Sequence, residues 1–264
     1  MAVPVGGEFR KLSGNELGCV LLDYILRTRR ERADLPPEAE AIKSIVSTPL
    51  ADRIAQHYNV KMFNVLTGFK YIGGEILRLE ELGREDRFVF GFEESCGYLK
   101  GSYARDKDAV VATMLVCEAA AWAKGNGMNL ADYMDRLYEQ FGCYAAYVQS
   151  VELQGITANE VSKAFMTNIR ENSPAEVAGC KVTATVDYLS GLRKCLECGR
   201  EEETGLPRSN VFILELGEKG KIIFRPSGTE PKIKLYYTAV GRTWDEANAL
   251  MAQFKEAMTG FLPA

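Results

Sequence analysis

Hydrophobic residues recur along the chain with helical spacing in some segments and with strand spacing in others. Ser13-Gly-Asn-Glu16 is a capping box, and apolar residues follow it at helical intervals. This pattern predicts a helix that runs to about Arg30. Residues 31–40 then contain Pro36-Pro37 and many charges, so we expect a linker and a domain boundary there.

Strands and helices alternate over residues 41–124. The pattern predicts strands at 41–46, 60–66 and 87–90, and helices after Ser47 or Thr48, at 72–82, at 106–124 with Asp106 as its cap, and at 130–141. This alternation is typical of a parallel sheet with helices on its faces.

The last part of the chain has a different order of elements. The pattern predicts a helix at 157–171, strands at 182–188, 211–216, 221–224 and 233–240, a charged loop at 195–210, and a final helix after Thr243. The fold class is therefore α/β: a domain with a mixed, largely parallel sheet, followed by a smaller α+β domain with helices on one face of an antiparallel sheet.

Composition narrows the functional classes. The chain has 264 residues, of which 47% are hydrophobic, enough for one large core or two ordinary ones. The net charge of -4 lacks the basic character of a nucleic-acid-binding domain. The most apolar stretch, 109–123, is shorter than the roughly 18 residues of a membrane span, and residues 1–7 do not resemble a signal peptide. We therefore expect a cytoplasmic protein without a membrane or nucleic-acid partner.

The seven cysteines are scattered and odd in number, which favours reduced thiols. Cys195-Leu-Glu-Cys198 is a lone C-x-x-C motif. A zinc site needs two more ligands at suitable spacing, and His57 is the one histidine and is distant in sequence. We therefore predict no metal site in this chain.

A loop with several hydrogen-bond donors lies between two predicted strands near the end of the chain. In Arg225-Pro-Ser-Gly-Thr229, the guanidinium fits paired phosphate oxygens, Ser227 and Thr229 add hydroxyls, and Gly228 lets the backbone approach a ligand. The segment is a candidate phosphate site. A plain tight turn is the alternative, since proline, serine and glycine favour turns.

Three further segments lie where strands end or a helix begins. Gly91-Phe-Glu-Glu-Ser95 follows a strand, and in an extended loop Glu93 and Ser95 share a face suited to sugar hydroxyls. The alternative is that Glu93 or Glu94 caps the next helix. Thr67-Gly-Phe-Lys70 ends another strand. Arg105-Asp-Lys-Asp108 opens a helix, where charged caps are commoner than a metal pair.

These loops, in this order, resemble those of the α-D-phosphohexomutases, and Ser13-Gly-Asn-Glu-Leu-Gly18 resembles the segment after that family's metal loop. The resemblance covers nearly the whole chain. The chain resembles the phosphoglucomutase branch most, because Cys96-Gly97-Tyr98 stands where other branches have Gly-His. It implies a four-domain enzyme, with 1–35 as the end of the second domain, 41–140 as the sugar-binding third, 141–174 as a connecting segment, and 175–264 as the phosphate-binding fourth.

The same resemblance implies roles for particular residues. Glu93 and Ser95, Thr67 and Gly68, and Lys107 would bind the sugar. The non-reacting phosphate would be held by four residues of one loop: Arg225, Ser227, Gly228 and Thr229.

Two loops of the family have no counterpart in this sequence: the T-A-S-H-N-P-like loop with the phosphorylated serine, and the D-x-D-x-D-R loop that holds Mg²⁺. We therefore expect the substrate-binding half of a mutase that is inactive alone. The N-terminal half of the enzyme would supply the Mg²⁺ site, and glucose 1,6-bisphosphate would serve as activator. The alternatives are a stand-alone sugar-phosphate-binding module and a structural protein whose loops are only turns.

Overall fold

The computed structural model describes residues 1–155, 157–228 and 230–262, and it divides into two compact units, Met1–Gly142 and Cys143–Ala264. Each unit has its own principal sheet and its own hydrophobic core. None of the helices in the described ranges combines the length and the apolar character needed to cross a membrane.

The first unit alternates strands and helices as the sequence predicted. Its elements are β1 (Ala2–Val5), β2 (Glu8–Lys11), α1 (Gly14–Glu31), β3 (Glu40–Ser44), α2 (Leu50–His57), β4 (Lys61–Val65), α3 (Phe69–Glu81), β5 (Phe88–Glu93), β6 (Gly97–Leu99), α4 (Ala109–Gly125) and α5 (Leu130–Phe141). The principal sheet has the strand order β4-β3-β5-β6, in which β4, β3 and β5 are parallel and β6 is antiparallel to β5. The mixed, largely parallel sheet is confirmed.

Helix α1 starts as predicted, with the Ser13 side chain accepting from the Glu16 backbone N–H and the Glu16 carboxylate accepting from the Ser13 N–H. It packs against β5, α2, α4 and α5 of the first unit. Residues 1–35, expected as the end of a preceding domain, therefore lie in the same compact unit as 41–140. Most of the helix surface is buried there.

The predicted cap of α4 was wrong by two residues. Asp108, not Asp106, precedes the helix, and its carboxylate accepts from the backbone N–H groups of Val110 and Val111 at 2.7 and 3.2 Å. Asp106 instead accepts from the backbone and side chain of Lys107. The backbone N–H of Asp108 donates to the Tyr98 carbonyl on β6 at 3.0 Å, which fixes the chain at Asp108, directly before the helix.

A buried carboxylate joins the helices of the first unit. Asp23 is 1% exposed and accepts from the hydroxyls of Tyr58 at 2.8 Å and Tyr133 at 2.5 Å, and from the Arg27 guanidinium at 3.0 Å. Burial, the larger cause, and the Asp23 charge, the next largest, both raise the pKa of the two tyrosines. Each hydroxyl therefore keeps its proton and stays a donor. The contacts link α1 to α5 and to the end of α2.

The second unit is built on an antiparallel sheet. Its elements are β7 (Cys143–Glu152), α6 (Ala158–Glu171), β8 (Glu176–Val177), β9 (Cys180–Lys181), β10 (Ala184–Asp187), β11 (Leu192–Cys195), β12 (Glu201–Glu203), β13 (Phe212–Glu215), β14 (Gly220–Pro226), β15 (Lys232–Gly241) and α7 (Trp244–Thr259). The sheet order is β12-β11-β10-β13-β14-β15-β7. The predicted antiparallel sheet with helices is confirmed, as are α6 and α7.

Most of the segment 141–174, which we expected to be a connection, is regular structure of this unit, beginning with β7 at Cys143. Strand β7 pairs with β15 along its whole length, and α6 brings Phe165 to 6.0 Å from the Phe224 ring. Helix α7 places Lys255 at 4.0 Å from the Tyr147 ring on β7. The segment predicted as a loop at 195–210 contains β12, which pairs with β11.

Candidate functional site

The parallel strands of the first unit end at a common edge of the sheet. Ser44 ends β3, Thr67 follows β4, and Glu93 ends β5. Because ligands of open parallel sheets bind beyond the carboxyl ends of the strands, this edge is the natural position for a site. The structure thus brings together the loops that the sequence singled out at Thr67 and Glu93.

The carboxylate of Glu93 is held at this edge by the start of α3. Its Oε1 accepts from the backbone N–H of Gly68 at 2.7 Å, and the residue is only 6% exposed. Gly68 adopts φ 121°, a conformation that residues with a Cβ rarely adopt, and it immediately precedes α3. The alternative, a cap of the next helix, was wrong, because Asp108 caps α4 and the Glu93 carboxylate bonds to the residue before α3. Among the described residues, Oε2 of Glu93 makes no hydrogen bond, so it can accept from a ligand.

Thr67 directly precedes Gly68, and the side-chain stem of Lys107 passes close to Gly97. The Thr67 hydroxyl is buried and has no hydrogen-bond partner in the described part of the chain. The Lys107 ammonium lies 5.8 Å from the centre of the Phe69 ring. The Lys107 Cδ would lie 3.2 Å from a Cβ placed on Gly97. Gly97 pairs directly with Glu93 in the β5–β6 ladder. A buried hydroxyl without a partner is costly, and a ligand that bonds to it would remove the cost.

The segment that follows Glu93 is a tight hairpin turn and not the expected extended loop. Strand β5 continues through Glu93, residues 94–96 form the turn, and β6 returns from Gly97. Glu93 is buried and Ser95 is exposed, so the prediction that they share a face of an extended segment was wrong. Cys96 has φ 64°, as a hairpin turn of this length requires of one of its residues.

The hairpin turn is fixed from two sides. Glu94 Oε2 accepts from the Ser44 hydroxyl at 3.1 Å, at the end of β3. On the other side, a Cβ on Gly14 would lie 1.9 Å from the Glu94 carbonyl oxygen, and a Cβ on Gly18 would lie 2.5 Å from the Phe92 ring. Only glycines allow α1 to pack this closely, which explains the spacing of Gly14 and Gly18 in the sequence.

The second candidate site is the loop between β14 and β15 in the second unit. Arg225 pairs directly with Lys234 in the ladder, so the two cationic side chains share one face of the sheet. An Arg225 guanidinium nitrogen lies 3.5 Å from the Tyr236 hydroxyl, two residues along the same face. Lys234 was not among the predicted site residues, because its position opposite Arg225 follows from the register of the β14–β15 hairpin.

The remainder of this loop is shaped by local hydrogen bonds. The Ser227 N–H donates to the Lys232 carbonyl at 2.8 Å, and the Glu230 N–H donates to the Ser227 hydroxyl at 3.3 Å. Gly228 is exposed, and a Cβ there would meet nothing within 4 Å. Thr229 lies outside the described residues. Both readings of the sequence, a turn and an anion site, are compatible with this geometry.

An ion pair adjoins the loop. The Lys232 ammonium and Glu230 carboxylate are 2.8 Å apart. Their hydrogen bond raises the pKa of Lys232 and lowers the pKa of Glu230, so both stay charged near neutral pH. Glu230 thus neutralises Lys232 and also attracts Lys234, which leaves Arg225 as the better anion ligand of the loop.

A metal ion is not favoured by the side chains of the described residues. No three or more of their histidine, cysteine, aspartate or glutamate side chains are grouped so that they could hold one. Mg²⁺ therefore does not fit the part of the chain that the structure describes.

Comparisons with known proteins agree with both units. Residues 13–141 match the family model for phosphoglucomutase/phosphomannomutase, alpha/beta/alpha domain III. The phosphoglucomutase of Staphylococcus aureus strain MSSA476 is 37% identical over 241 residues, which are 91% of this chain and 42% of that protein. The chain thus spans less than half the length of the curated relatives it matches.

Solved structures show the same fold across nearly the whole chain. The phosphoglucomutase parafusin from Paramecium, in an open form, superposes with a TM-score of 0.66 at 18% identity, covering 97% of this chain and 42% of that one. A putative phosphomannomutase from Thermus thermophilus gives a TM-score of 0.56 at 19% identity, covering 95% and 41%. The sequence match, the family model and the fold agree: this chain belongs to the phosphoglucomutase/phosphomannomutase family of α-D-phosphohexomutases.

Proposed function

We propose that this chain is the substrate-binding part of a cytoplasmic phosphohexomutase, an isomerase that interconverts hexose 1-phosphate and hexose 6-phosphate through a bisphosphate intermediate. Residues 41–140 would be its sugar-binding third domain and residues 175–264 its phosphate-binding fourth. The small-molecule partner is a hexose phosphate, and the protein partner is the N-terminal half of the same enzyme.

The observation that carries this proposal is the Glu93–Gly68 hydrogen bond. It uses one carboxylate oxygen and holds the second at the strand edge, beside the Lys107 stem and the buried Thr67 hydroxyl that lacks a partner among the described residues. A carboxylate accepts from two hydroxyls that a sugar presents on adjacent carbons, while Thr67 can donate or accept. Ser95, exposed on the neighbouring turn, would add a further hydroxyl.

Phosphate binding is assigned to the loop after β14. Arg225 supplies paired N–H donors, and Lys234 adds a charge on the same face of the sheet. Ser227 and the backbone at Gly228 would supply further donors, with Thr229 as predicted from the sequence. A dianion benefits from both charges, so the loop should prefer a phosphate monoester to a monoanion.

Glucose is the favoured sugar. Glu93 suits equatorial hydroxyls that glucose and mannose share, so it does not discriminate between them. The sequence Cys96-Gly97-Tyr98 favours the phosphoglucomutase branch, and the relative at 37% identity is a phosphoglucomutase. A pentose phosphate is the alternative substrate.

The chemical steps are assigned to the rest of the enzyme. This sequence contains no T-A-S-H-N-P-like or D-x-D-x-D-R segment, so the phosphoserine and the Mg²⁺ ligands would come from the N-terminal half. Phosphoryl transfer depends on metal neutralisation and on positioning. The chain alone should therefore bind hexose phosphate and leave it unconverted, with or without glucose 1,6-bisphosphate as activator.

Calorimetric titration tests the proposal. Glucose 1-phosphate should bind more tightly than inorganic phosphate or ribose 5-phosphate, with an affinity near the millimolar range, about −4 kcal/mol. Equal affinities for all three would contradict a sugar site. Conversion of glucose 1-phosphate by the purified chain, with Mg²⁺ and glucose 1,6-bisphosphate present, would contradict the division of roles.

The coding sequence upstream distinguishes the enzyme from a stand-alone binding module, since only the enzyme needs a D-x-D-x-D-R segment there.

A further inference from the structure

A pair of cysteines lies at the hairpin between β11 and β12 of the second unit. Cys195 ends β11, and residues 196–198 form the turn. The backbone at the turn is held at several points: the Gly199 N–H donates to the Cys195 carbonyl at 3.0 Å, and the Leu196 N–H donates to the Thr183 carbonyl at 2.8 Å. Gly199 adopts φ 69°, which favours glycine at that position.

The two thiols lie next to each other on this turn. The backbone N–H of Cys198 donates to the Cys195 sulfur at 3.4 Å. Residues three apart in a turn have Cα atoms within about 7 Å, and a disulfide needs a span of roughly 4.4–6.8 Å. Cys198 is exposed and Cys195 is half-buried, so a small oxidant can reach both sulfurs.

The surroundings of Cys195 favour its thiolate. Hydrogen bonds from Cys198, first from its side chain and then from its backbone, lower the pKa of Cys195 below the usual range of a thiol. The other exposed thiols, Cys96 on the β5–β6 turn and Cys117 on α4, have no adjacent cysteine in sequence.

A metal is a weaker occupant for this pair. Two thiolates occupy half of a tetrahedral zinc site. No larger group of histidine, cysteine, aspartate or glutamate side chains suited to a metal occurs in residues 1–155, 157–228 and 230–262. Oxidation, by contrast, needs no further ligand.

We propose that Cys195 and Cys198 form a reversible redox pair, in which a low-molecular-weight disulfide such as oxidised glutathione is the oxidant. The Cys195 thiolate attacks one sulfur of the oxidant, so that a mixed disulfide forms and one thiolate leaves. Cys198, after losing its proton, attacks the Cys195 sulfur and expels the second thiolate. The two cysteine protons end on the released thiols, and one disulfide is exchanged for another.

The test uses the purified chain in glutathione buffers of graded oxidised-to-reduced ratio, followed by alkylation and mass spectrometry. In the wild type, the peptide that contains both cysteines should lose two hydrogens and escape alkylation, and dithiothreitol should reverse this. Cys198→Ser should accumulate the mixed disulfide on Cys195. Cys195→Ser should lose the rapid reaction with oxidised glutathione, whereas Cys117→Ser should react as the wild type does.

Two results would overturn the redox pair. One is glutathione addition at Cys96 and Cys117 under conditions that leave Cys195 and Cys198 as thiols. The other is a Cys198→Ser chain that fails to trap glutathione on Cys195. The wild-type measurement needs no variant, so it decides the question even if a serine substitution disturbs folding.

Discussion

The backbone N–H of Gly68 donates a 2.7 Å hydrogen bond to Oε1 of Glu93, which joins the loop after β4 to the end of β5 across the end of β3. The contact fixes a carboxylate at the edge of the sheet where α/β proteins bind their ligands. It also satisfies a donor at the start of α3, so the same bond serves stability and the proposed sugar site.

Glu93→Gln should weaken hexose-phosphate binding while leaving the fold intact. Glutamine retains an oxygen for the Gly68 N–H and replaces the second acceptor by an amide donor. The loss of a charged hydrogen bond should reduce the affinity for glucose 1-phosphate about tenfold or more, with little change for inorganic phosphate. In the complete enzyme, catalysis should fall more than phosphate binding. Titration of both ligands measures the difference.

Glu81→Gln is the matched control, because Glu81 is exposed at the end of α3. It should bind both ligands as the wild type does. If Glu93→Gln also left glucose 1-phosphate binding unchanged, Glu93 would be a cap of α3 and not a sugar ligand.

Gly68→Ala should destabilise the first unit. A Cβ at Gly68 would find room, its closest contact being 3.9 Å, so the cost arises from the backbone at φ 121°. Holding alanine in such a conformation should cost about 1–3 kcal/mol of unfolding free energy. Gly74→Ala, on the exposed side of α3, should gain roughly 0.5–1 kcal/mol instead. Urea unfolding of both variants measures the sign of each change. If Gly68→Ala did not lower the unfolding free energy, the conformation assigned to Gly68 would be contradicted.

Asp23→Asn should unfold at markedly lower denaturant concentration. Asparagine has one acceptor oxygen and no charge, so the buried hydroxyls of Tyr58 and Tyr133 and the Arg27 guanidinium would not all be satisfied. We expect a loss of about 3 kcal/mol or more. Asp34→Asn, which removes an exposed partner of Arg29 at 3.7 Å, should cost less than about 1 kcal/mol. Similar small losses in both variants would mean that the buried network contributes little.

Local signals made most of the fold predictable. The starts of α1 and α7 follow from capping residues, and the extents of α1 and α5 follow from apolar spacing; both signals depend on neighbours within a few positions. Strand β7 escaped prediction because it is an edge strand with one long partner, β15, about 90 residues away, and its outer residues are exposed. The short strand β6 was also not predicted, because it is defined only by its pairing with β5.

The site was predictable as a set of loops but not as an arrangement. The motifs at Thr67, Glu93 and Arg225 were visible in the sequence because their residue types suit sugars and phosphates. The Gly68–Glu93 bond was not, since it depends on the order of strands in the sheet. The position of Lys234 opposite Arg225 likewise depends on the register of the β14–β15 hairpin.

The most direct test of a sugar-phosphate-binding chain is an amide NMR titration with glucose 1-phosphate and with inorganic phosphate, on the wild type and on Arg225→Ala. Inorganic phosphate should shift Ser227 and Gly228, and glucose 1-phosphate should also shift Gly68. Arg225→Ala should remove roughly 1.5–3 kcal/mol of phosphate binding, whereas Arg200→Ala, an exposed arginine on the same unit, should leave it intact. Shifts that cluster elsewhere, or that survive Arg225→Ala, would contradict the proposed site.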